Sequence, residues 1–280
     1  MSRILVTGAK GFIGQALCKR LAKDHDLITL DRSKGDITDP KIFLNVESVD
    51  HVFHLAARTF VPDSWQETTE FLNSNVIGTA NVLDFCKRVN ASLTFVSAYI
   101  YGKPETLPIK EDTLPRPNNP YALSKYISEQ VCHFYANYHN LDITIIRPFN
   151  IYGPGQPKHF LIPKIVNLVK NGQDIELFDL LPKRDYVFID DLVDALIKTS
   201  KLKLQGFNVF NIGSGKSISV QDVVDVIQEI AGTSLDVTCK EQKRLQDLDD
   251  VVADISESFM KLKWIPITGF KEGIKKTLNG

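Results

Sequence analysis

The sequence predicts an α/β fold, a doubly wound parallel sheet carrying a smaller mixed α/β lobe. Three observations predict it. Short runs rich in β-branched residues alternate with longer amphipathic stretches through the first half of the chain. Those runs are apolar without clean alternation, as expected of strands covered on both faces. After Pro148 the rhythm breaks, and a more mixed pattern follows.

Taken in order, Arg3-Ile4-Leu5-Val6-Thr7 reads as the first strand. Gly14 to Lys23 reads as a helix with Leu17 and Leu21 four apart on one face. Leu27 to Leu30 and Asp50 to Leu55 are the next strands, and a long helical region is expected from Thr69 to Arg88. Leu93 to Val96 is the fourth strand, Tyr121 to Tyr138 a helix, and Ile143 to Ile146 the fifth strand. Beyond Pro148, Gly153-Pro154-Gly155-Gln156-Pro157 is loop and Pro163 to Lys170 a helix. Tyr186 to Ile189 reads as a strand, Asp191 to Lys201 as a helix and Phe207 to Ile212 as another strand. From Gly213 the chain is mixed and more polar, ending with Trp264-Ile265-Pro266, and no repeat or linker is visible.

Composition narrows the class. The apolar share, 43%, is ordinary for a chain that buries a core. Charge is balanced, 33 Lys+Arg against 34 Asp+Glu, which argues against a general nucleic-acid binder. No stretch approaches the roughly 18 apolar residues of a membrane span. Met1-Ser2-Arg3 runs straight into Ile4-Leu5-Val6, leaving no room for a secretory signal, so a cytoplasmic protein is expected. Cys18, Cys86, Cys132 and Cys239 are scattered and form no Cys-x-x-Cys, so neither a disulfide framework nor a metal site is expected.

Gly8-Ala9-Lys10-Gly11-Phe12-Ile13-Gly14 follows the first strand and opens the first helix. Glycines at this spacing permit a tight turn and close backbone approach, placing a pyrophosphate on the helix N-terminus. The strand-turn-helix context favours a Rossmann-type dinucleotide site over a mere Gly-rich connector. Asp31 ends the second strand, where a carboxylate accepts hydrogen bonds from the adenosine ribose and repels a 2′-phosphate, so NAD is expected over NADP. Lys10 and Arg32 pull the other way but read as ordinary surface cations. Arg32 is nonetheless counted with the cofactor residues, and Asp36-Ile37 is a candidate adenine contact.

Tyr121-Ala-Leu-Ser-Lys125 places a phenol and an ammonium on one helix face. An ammonium beside a phenol is expected to lower its pKa and fit it for acid/base work near neutrality. Ser97, at the end of the fourth strand, adds a hydroxyl to hold a carbonyl or alcohol.

Together, the Gly8/Gly11/Gly14 turn, His54-Leu55-Ala56-Ala57, Asn75, Ser97-Ala-Tyr-Ile-Tyr-Gly102 and Tyr121-x-x-x-Lys125 resemble the extended short-chain dehydrogenase/reductases. Within them the chain is similar to the nucleotide-sugar epimerase/dehydratase branch. Arg147-Pro-Phe-Asn150-Ile-Tyr-Gly-Pro-Gly, Arg184-Asp-Tyr-Val-Phe-Ile-Asp-Asp191 and Asn211-Ile-Gly-Ser-Gly215 extend that likeness nearly end to end. The resemblance implies that Ser97 and Tyr121 contact the reacting sugar oxygen and that Lys125 holds the nicotinamide ribose. It also implies that Leu55, Ala56, Ala57 and Asn75 line the cofactor. Asn150 would touch the substrate diphosphate, with Arg184 and Arg244 as the arginines that clamp it. The family usually follows the second arginine with Pro-Gly-Asp, whereas here Leu245-Gln246-Asp247 stands. His54 reads as structural.

Sugar 4,6-dehydratases of this branch place Asp-Glu directly after the Ser/Thr, but here Ala98 and Tyr99 occupy those positions, which sets a dehydratase aside. The expected activity is reversible hydride transfer at the sugar C4, foremost a nucleoside-diphosphate-hexose 4-epimerase. The alternative is an NAD(P)H-dependent reductase of a 4-keto-6-deoxy sugar nucleotide, because Val61-Pro-Asp-Ser-Trp65 resembles such reductases acting on guanosine diphosphate sugars. A non-catalytic dinucleotide-binding regulator is a third class, but such proteins lose the Tyr or Lys that this chain keeps. Residues 1–150, joined by part of 184–212, are expected to form the NAD-binding domain. Residues 151–183 with 213–280 would form the substrate-binding lobe. The related family pairs the helices around 69–88 and 121–138 between subunits. The apolar Tyr126, Ile127, Phe134 and Tyr138 of the second fit a homodimer of that kind.

Overall fold

The computed structural model describes residues 2–240 and 248–280. The chain forms two compact units, one of Met1–Gly102, Glu111–Pro148 and Val193–Phe210, the other of Lys103–Lys110, Phe149–Leu192 and Asn211–Gly280.

The first unit is built on β1 (Arg3–Thr7), β2 (Asp26–Leu30), β3 (His51–His54), β4 (Ser92–Val96), β5 (Ile143–Pro148) and β9 (Phe207–Ile212), in the order β2-β1-β3-β4-β5-β9. β1 pairs parallel with β2 and β3, and β4 pairs parallel with β3 and β5. Every residue of β3 and β5 is buried, so their few polar side chains, His51, His54, Thr144 and Arg147, are enclosed with the apolar ones. The strand order reverses at β1, so the loops leaving β1 and β3 emerge side by side, the position where such sheets bind ligands.

Helix α1 (Phe12–Leu21) buries Gly14, Leu17 and Leu21 and starts two residues earlier than its apolar pattern suggests. α2 (Val61–Gln66), which sequence reading did not resolve, opens with Pro62 in its first turn. The expected long helix over 69–88 is interrupted: α3 (Thr68–Leu72) runs into a π-helical turn, Asn73–Ile77, before α4 (Gly78–Val89). Gly78 lies so close to Ile37 that a Cβ there would stand 2.7 Å from Ile37 Cγ2. α5 (Pro120–His139) starts on the Asn119 cap, whose Oδ1 accepts from Ala122 N at 2.9 Å, and stops at Asn140 in the left-handed region. Val82, Leu83, Phe85 and Cys86 of α4 pack into one core with Val52, Leu93, Phe95 and Ile145.

The second unit holds β6 (Asn150–Tyr152), β7 (Ile175–Leu177), β8 (Lys183–Phe188), β10 (Ser217–Ser219) and β11 (Val237–Cys239). β8 is central, parallel to β6 and antiparallel to β10, while β7 pairs with β11. Its helices are α6 (Leu161–Lys170), the start of α7 (Ile189–Leu202), α8 (Val220–Ala231), α9 (Ser256–Leu262) and α10 (Phe270–Asn279). α8 has a full signature: a Ser219/Asp222 capping box, Val220, Val223, Val224 and Ile227 on the buried face, and Gly232 at its C-terminal stop. Trp264 is buried, and its indole N–H donates to Asp191 O at 2.9 Å. Among the described residues no helix is long and apolar enough to cross a membrane.

Candidate active site

Thr7 ends β1 and Gly8 follows with φ +71°. A Cβ at Gly8 would meet Ala56 N at 2.7 Å, and one at Gly14 would meet Gly8 O at 2.2 Å, so neither position admits a side chain. Gly11 N donates to Gly8 O at 2.9 Å, and Gly11 caps α1, whose first turn is Phe12, Ile13 and Gly14. The outcome is a bare backbone turn ending in helical N–H groups, backed by Leu55-Ala56. These residues fit a dinucleotide pyrophosphate, because glycine is required where the two loops touch and the helix start favours an anion.

Asp31 follows β2. Its Oδ1 accepts from Ser33 Oγ at 2.6 Å and Ser33 N at 2.8 Å, and Lys10 Nζ lies 3.1 Å away. The Ser33 hydroxyl and amide, with smaller help from Lys10, hold this carboxyl down to about 2. Lys10 Nζ also donates to Ser33 Oγ at 2.9 Å, so it belongs to the Asp31 turn and is not a free surface cation. Arg32 is exposed. Asp36 closes its own turn by accepting from Thr38 N and Thr38 Oγ1, both at 2.9 Å, while Ile37 is buried in the core beside Gly78.

Ser97 follows β4 and is buried, and its Oγ has no hydrogen-bond partner among the described residues. Tyr121 opens α5 half-buried, with its ring edge-on to Phe71 at 6.4 Å. Lys125 is 2% exposed, and its Nζ stands 4.1 Å from the centre of the Phe95 ring. Phe95 precedes Ser97 by two residues. Electrostatics here correct the sequence expectation. Burial pushes the Tyr121 phenol well above its ordinary value, and burial also lowers Lys125 to about 7. Desolvation is the cause at Tyr121 and the leading cause at Lys125. Tyr121 in the protein alone is therefore a neutral phenol at neutral pH.

Asn75 lies buried in the π-helical turn, a geometry frequent at functional sites. Its Oδ1 accepts from Arg58 N at 2.8 Å, and its Nδ2 donates to Arg58 O at 3.1 Å and Ser124 Oγ at 2.8 Å. Its amide thus ties the segment after Leu55-Ala56-Ala57 to the first turns of α5. His54 is buried with both ring nitrogens hydrogen-bonded, in keeping with a structural reading. Ala98 is buried, and Tyr99 Oη donates to Gly102 O at 2.6 Å, so no carboxylate stands where a dehydratase needs one.

In the second unit Asn150 Nδ2 donates to Asp185 O at 3.3 Å. Arg184 Nη1 donates to Lys183 O at 2.8 Å and Leu248 O at 2.6 Å. Arg244 lies outside the described residues. Sequence reading attached no role to Asp185, whose buried carboxylate accepts from Ser214 N, Ser214 Oγ, Gly215 N and Ala253 N at 2.5–3.0 Å. It also missed the buried Glu129–Arg147 pair. The available signals were a glutamate four residues after Lys125 and an arginine inside an otherwise apolar strand.

A parallel sheet with a glycine cradle at its reversal point, an acidic residue after the second strand and a Tyr-x-x-x-Lys helix define a dinucleotide-dependent enzyme. The chain belongs to the NAD dependent epimerase/dehydratase family, whose model matches residues 4–213. It is 34% identical to the GDP-6-deoxy-D-talose 4-dehydrogenase of Aggregatibacter actinomycetemcomitans, over 91% of this chain and 89% of that one. RMD from Pseudomonas aeruginosa, solved with NADPH, superposes with a TM-score of 0.91 at 28% identity, covering 100% of this chain and 98% of that one. The UDP-glucose 4-epimerase of Thermotoga maritima, solved with UDP-glucose, gives 0.90 at 28% identity, covering 99% and 97%.

Proposed function

We propose that this enzyme carries out reversible hydride transfer at C4 of a nucleoside-diphosphate hexose with resident NAD, and that it works as a 4-epimerase. The observation that carries the chemistry is the buried Ser97 hydroxyl directly after β4, unpartnered among the described residues, with Lys125 buried against Phe95 two residues before it. A polar atom left so costs roughly 1–3 kcal/mol, a cost that a substrate oxygen accepting its proton would remove. Gly8, Gly11, Phe12, Ile13 and Gly14 would hold the pyrophosphate and Asp31 the adenosine ribose, with Lys125 at the nicotinamide ribose. NAD, when bound, accepts and returns the hydride, and its oxidised ring brings a positive charge. Ser97 orients the sugar 4-oxygen. Tyr121 takes the 4-hydroxyl proton as the oxygen becomes a carbonyl and gives it back on return. Lys125, on the same helix face as Tyr121, favours the phenolate once charged. In the second unit Asn150, Arg184 and Arg244 would hold the diphosphate, so 1–150 with part of 184–212 would serve the cofactor and the remainder the sugar nucleotide.

The epimerase form rests on Asp31, which suits a cofactor that is kept and regenerated rather than NADPH consumed each turn. A net reductase or dehydrogenase of a 6-deoxy sugar nucleotide is the second reading, favoured by the 34% relative and by Lys10 offsetting the Asp31 charge. Stoichiometry separates them. Interconversion of C4 configuration with catalytic NAD and no net NADH supports the epimerase. Turnover confined to 4-keto-6-deoxy substrates, with one NAD(P)H consumed per product, replaces it with the reductase.

The same reading extends to assembly and location. α5 exposes Leu123 at 40%, Phe134 at 51% and Tyr138 at 72%, and a homodimer through the α4 and α5 faces would cover them. A monomeric mass by light scattering at micromolar concentration would exclude it. The buried free thiols Cys86 and Cys132 suit a reducing cytoplasm.

A further inference from the structure

A chain of hydrogen bonds, joined covalently through Asn75, runs from the loop backing the glycine cradle to the first turns of α5, and His54 is its centre. The backbone N–H groups of Leu55 and Ala56 donate to Thr7 Oγ1, each at 3.2 Å. Thr7 Oγ1 lies 2.7 Å from His54 Nδ1, and His54 Nε2 lies 3.0 Å from Thr79 Oγ1. Thr79 Oγ1 donates in turn to the Asn75 carbonyl at 2.5 Å. Asn75 Nδ2 donates to Ser124 Oγ at 2.8 Å, and that hydroxyl donates to Tyr121 O at 2.7 Å.

The chemistry of these groups fixes the direction of every link. A carbonyl only accepts, so the single Thr79 hydroxyl proton goes to Asn75, and Thr79 must accept from His54. Nε2 therefore carries the imidazole proton. Nδ1 is a bare acceptor, and Thr7 donates to it while accepting the two backbone N–H groups. Burial, with the Lys125 charge adding to it, holds the imidazole down to about 3, so this tautomer does not titrate in the working range. A leucine would fill similar volume without desolvating a polar ring. What the imidazole adds is a rigid donor–acceptor spacer between two loops that the chemistry must keep in register.

We propose that His54 is a positioning residue: its neutral, Nε2-protonated ring holds the loop behind the glycine cradle through Thr7 and the turn carrying Tyr121 through Thr79 and Asn75. The inference rests on the reading of that cradle and of Tyr121 given above. Two variants separate the arms. In His54→Asn the amide oxygen reaches the place of Nδ1 and keeps the Thr7 arm. In His54→Gln the amide nitrogen reaches the place of Nε2 and keeps the Thr79 arm.

Hydrogen exchange of the ligand-free variants reads the positions without any turnover. Exchange should quicken around Asn75 and Ser124 in His54→Asn, and around Leu55 and Ala56 in His54→Gln. In kinetics run well below the melting point, His54→Asn should keep NAD affinity and sugar-nucleotide KM within about twofold and lose roughly 10- to 10²-fold in kcat. His54→Gln should weaken NAD binding by about 10-fold and keep most of kcat at saturating NAD. Variants that melt earlier yet leave kcat, KM and NAD affinity within about twofold of the parent would reduce His54 to core filling. Unchanged exchange in both variants would overturn the proposal whatever reaction the enzyme performs. The expected exchange pattern in a protein whose parent form turns over no sugar nucleotide would support the positioning link and overturn the C4 reading alone.

Discussion

Glu129→Gln tests what fixes α5 against the rest of its unit. Glu129 sits one helical turn after Lys125 and takes Arg147 of β5 in a fork. Arg147 Nε lies 3.0 and 3.2 Å from the two carboxylate oxygens, and Nη2 lies 2.6 Å from Oε2. The side chains are 2% and 7% exposed. Arg147 Nη1 donates to Tyr101 Oη at 2.8 Å and Glu111 O at 2.9 Å, so one guanidinium joins α5 to the segment that follows Ser97. Removing one partner of a buried ion pair costs about 3–5 kcal/mol, because the other charge stays buried and uncompensated. Glutamine can still accept one contact through its amide oxygen, which puts the variant near about 3 kcal/mol. At roughly 2–4 °C per kcal/mol, melting should fall by about 6–12 °C. Urea unfolding followed by circular dichroism measures the loss, with Arg147→Met and the double variant closing the cycle. The double variant removes the buried charge altogether and should be more stable than Glu129→Gln. A loss below about 1 kcal/mol, the value of an exposed pair, would refute the argument. So would a double variant whose loss equals the sum of the singles.

Tyr121→Phe should bind NAD normally and lose about 10²–10⁴-fold in kcat, since it deletes only the proton relay, and near-parental turnover would contradict that role. Asp31→Asn should weaken NAD by about 10- to 10²-fold and narrow its lead over NADP, while Lys10→Ala should widen it; calorimetric titration of both cofactors decides. With its carboxyl held near 2 by Ser33, Asp31 stays charged at any working pH, so NAD affinity should show no step from this group above about pH 4. Lys125 has the opposite sign to most stabilising lysines. Burial lowers it from 10.5 to about 7, so between those values the unfolded chain binds a proton that the folded chain lacks. Its contribution to stability is full above 10.5 and is lost as pH falls through 7. Urea midpoints across that window should rise less steeply with pH in Lys125→Met, and parallel slopes would show that Lys125 is not held neutral.

The parallel sheet was legible because its inner strands are buried on both faces and written as short, mostly apolar runs without alternation: Ile4 to Val6, His51 to His54 and Ile143 to Ile146 are all buried. The helices of the second unit were harder. α8 carries a buried stripe at Val220, Val223, Val224 and Ile227 and a capping box, so its signal was present and was passed over within a polar stretch. α10 likewise carries Phe270, Ile274 and Leu278 four apart on one side, with Lys or Glu over most of the rest, a stripe only three residues long. The interruption of the helix before α4 was not readable locally. It depends on Ile37 pressing on Gly78 and on Arg58 capturing the Asn75 amide, contacts that span 41 and 17 positions along the chain.

At the site, residue identity was legible and electrostatics were not. Tyr-x-x-x-Lys spacing placed two side chains on one face, and α5 carries both. Whether the ammonium activates the phenol depends on how much water each loses, and that is set by Phe71, Phe95 and the strands beneath, none of them helical neighbours. The protein alone consequently holds Tyr121 as a neutral phenol, not ready for proton abstraction, and Lys125 with its charge weakened by burial. A resident cofactor bearing positive charge would stabilise the phenolate in this low-dielectric setting far more than in water. Activation of Tyr121 would then be coupled to cofactor occupancy, and the same burial that silences the tyrosine in the protein alone is what would give the bound charge its leverage.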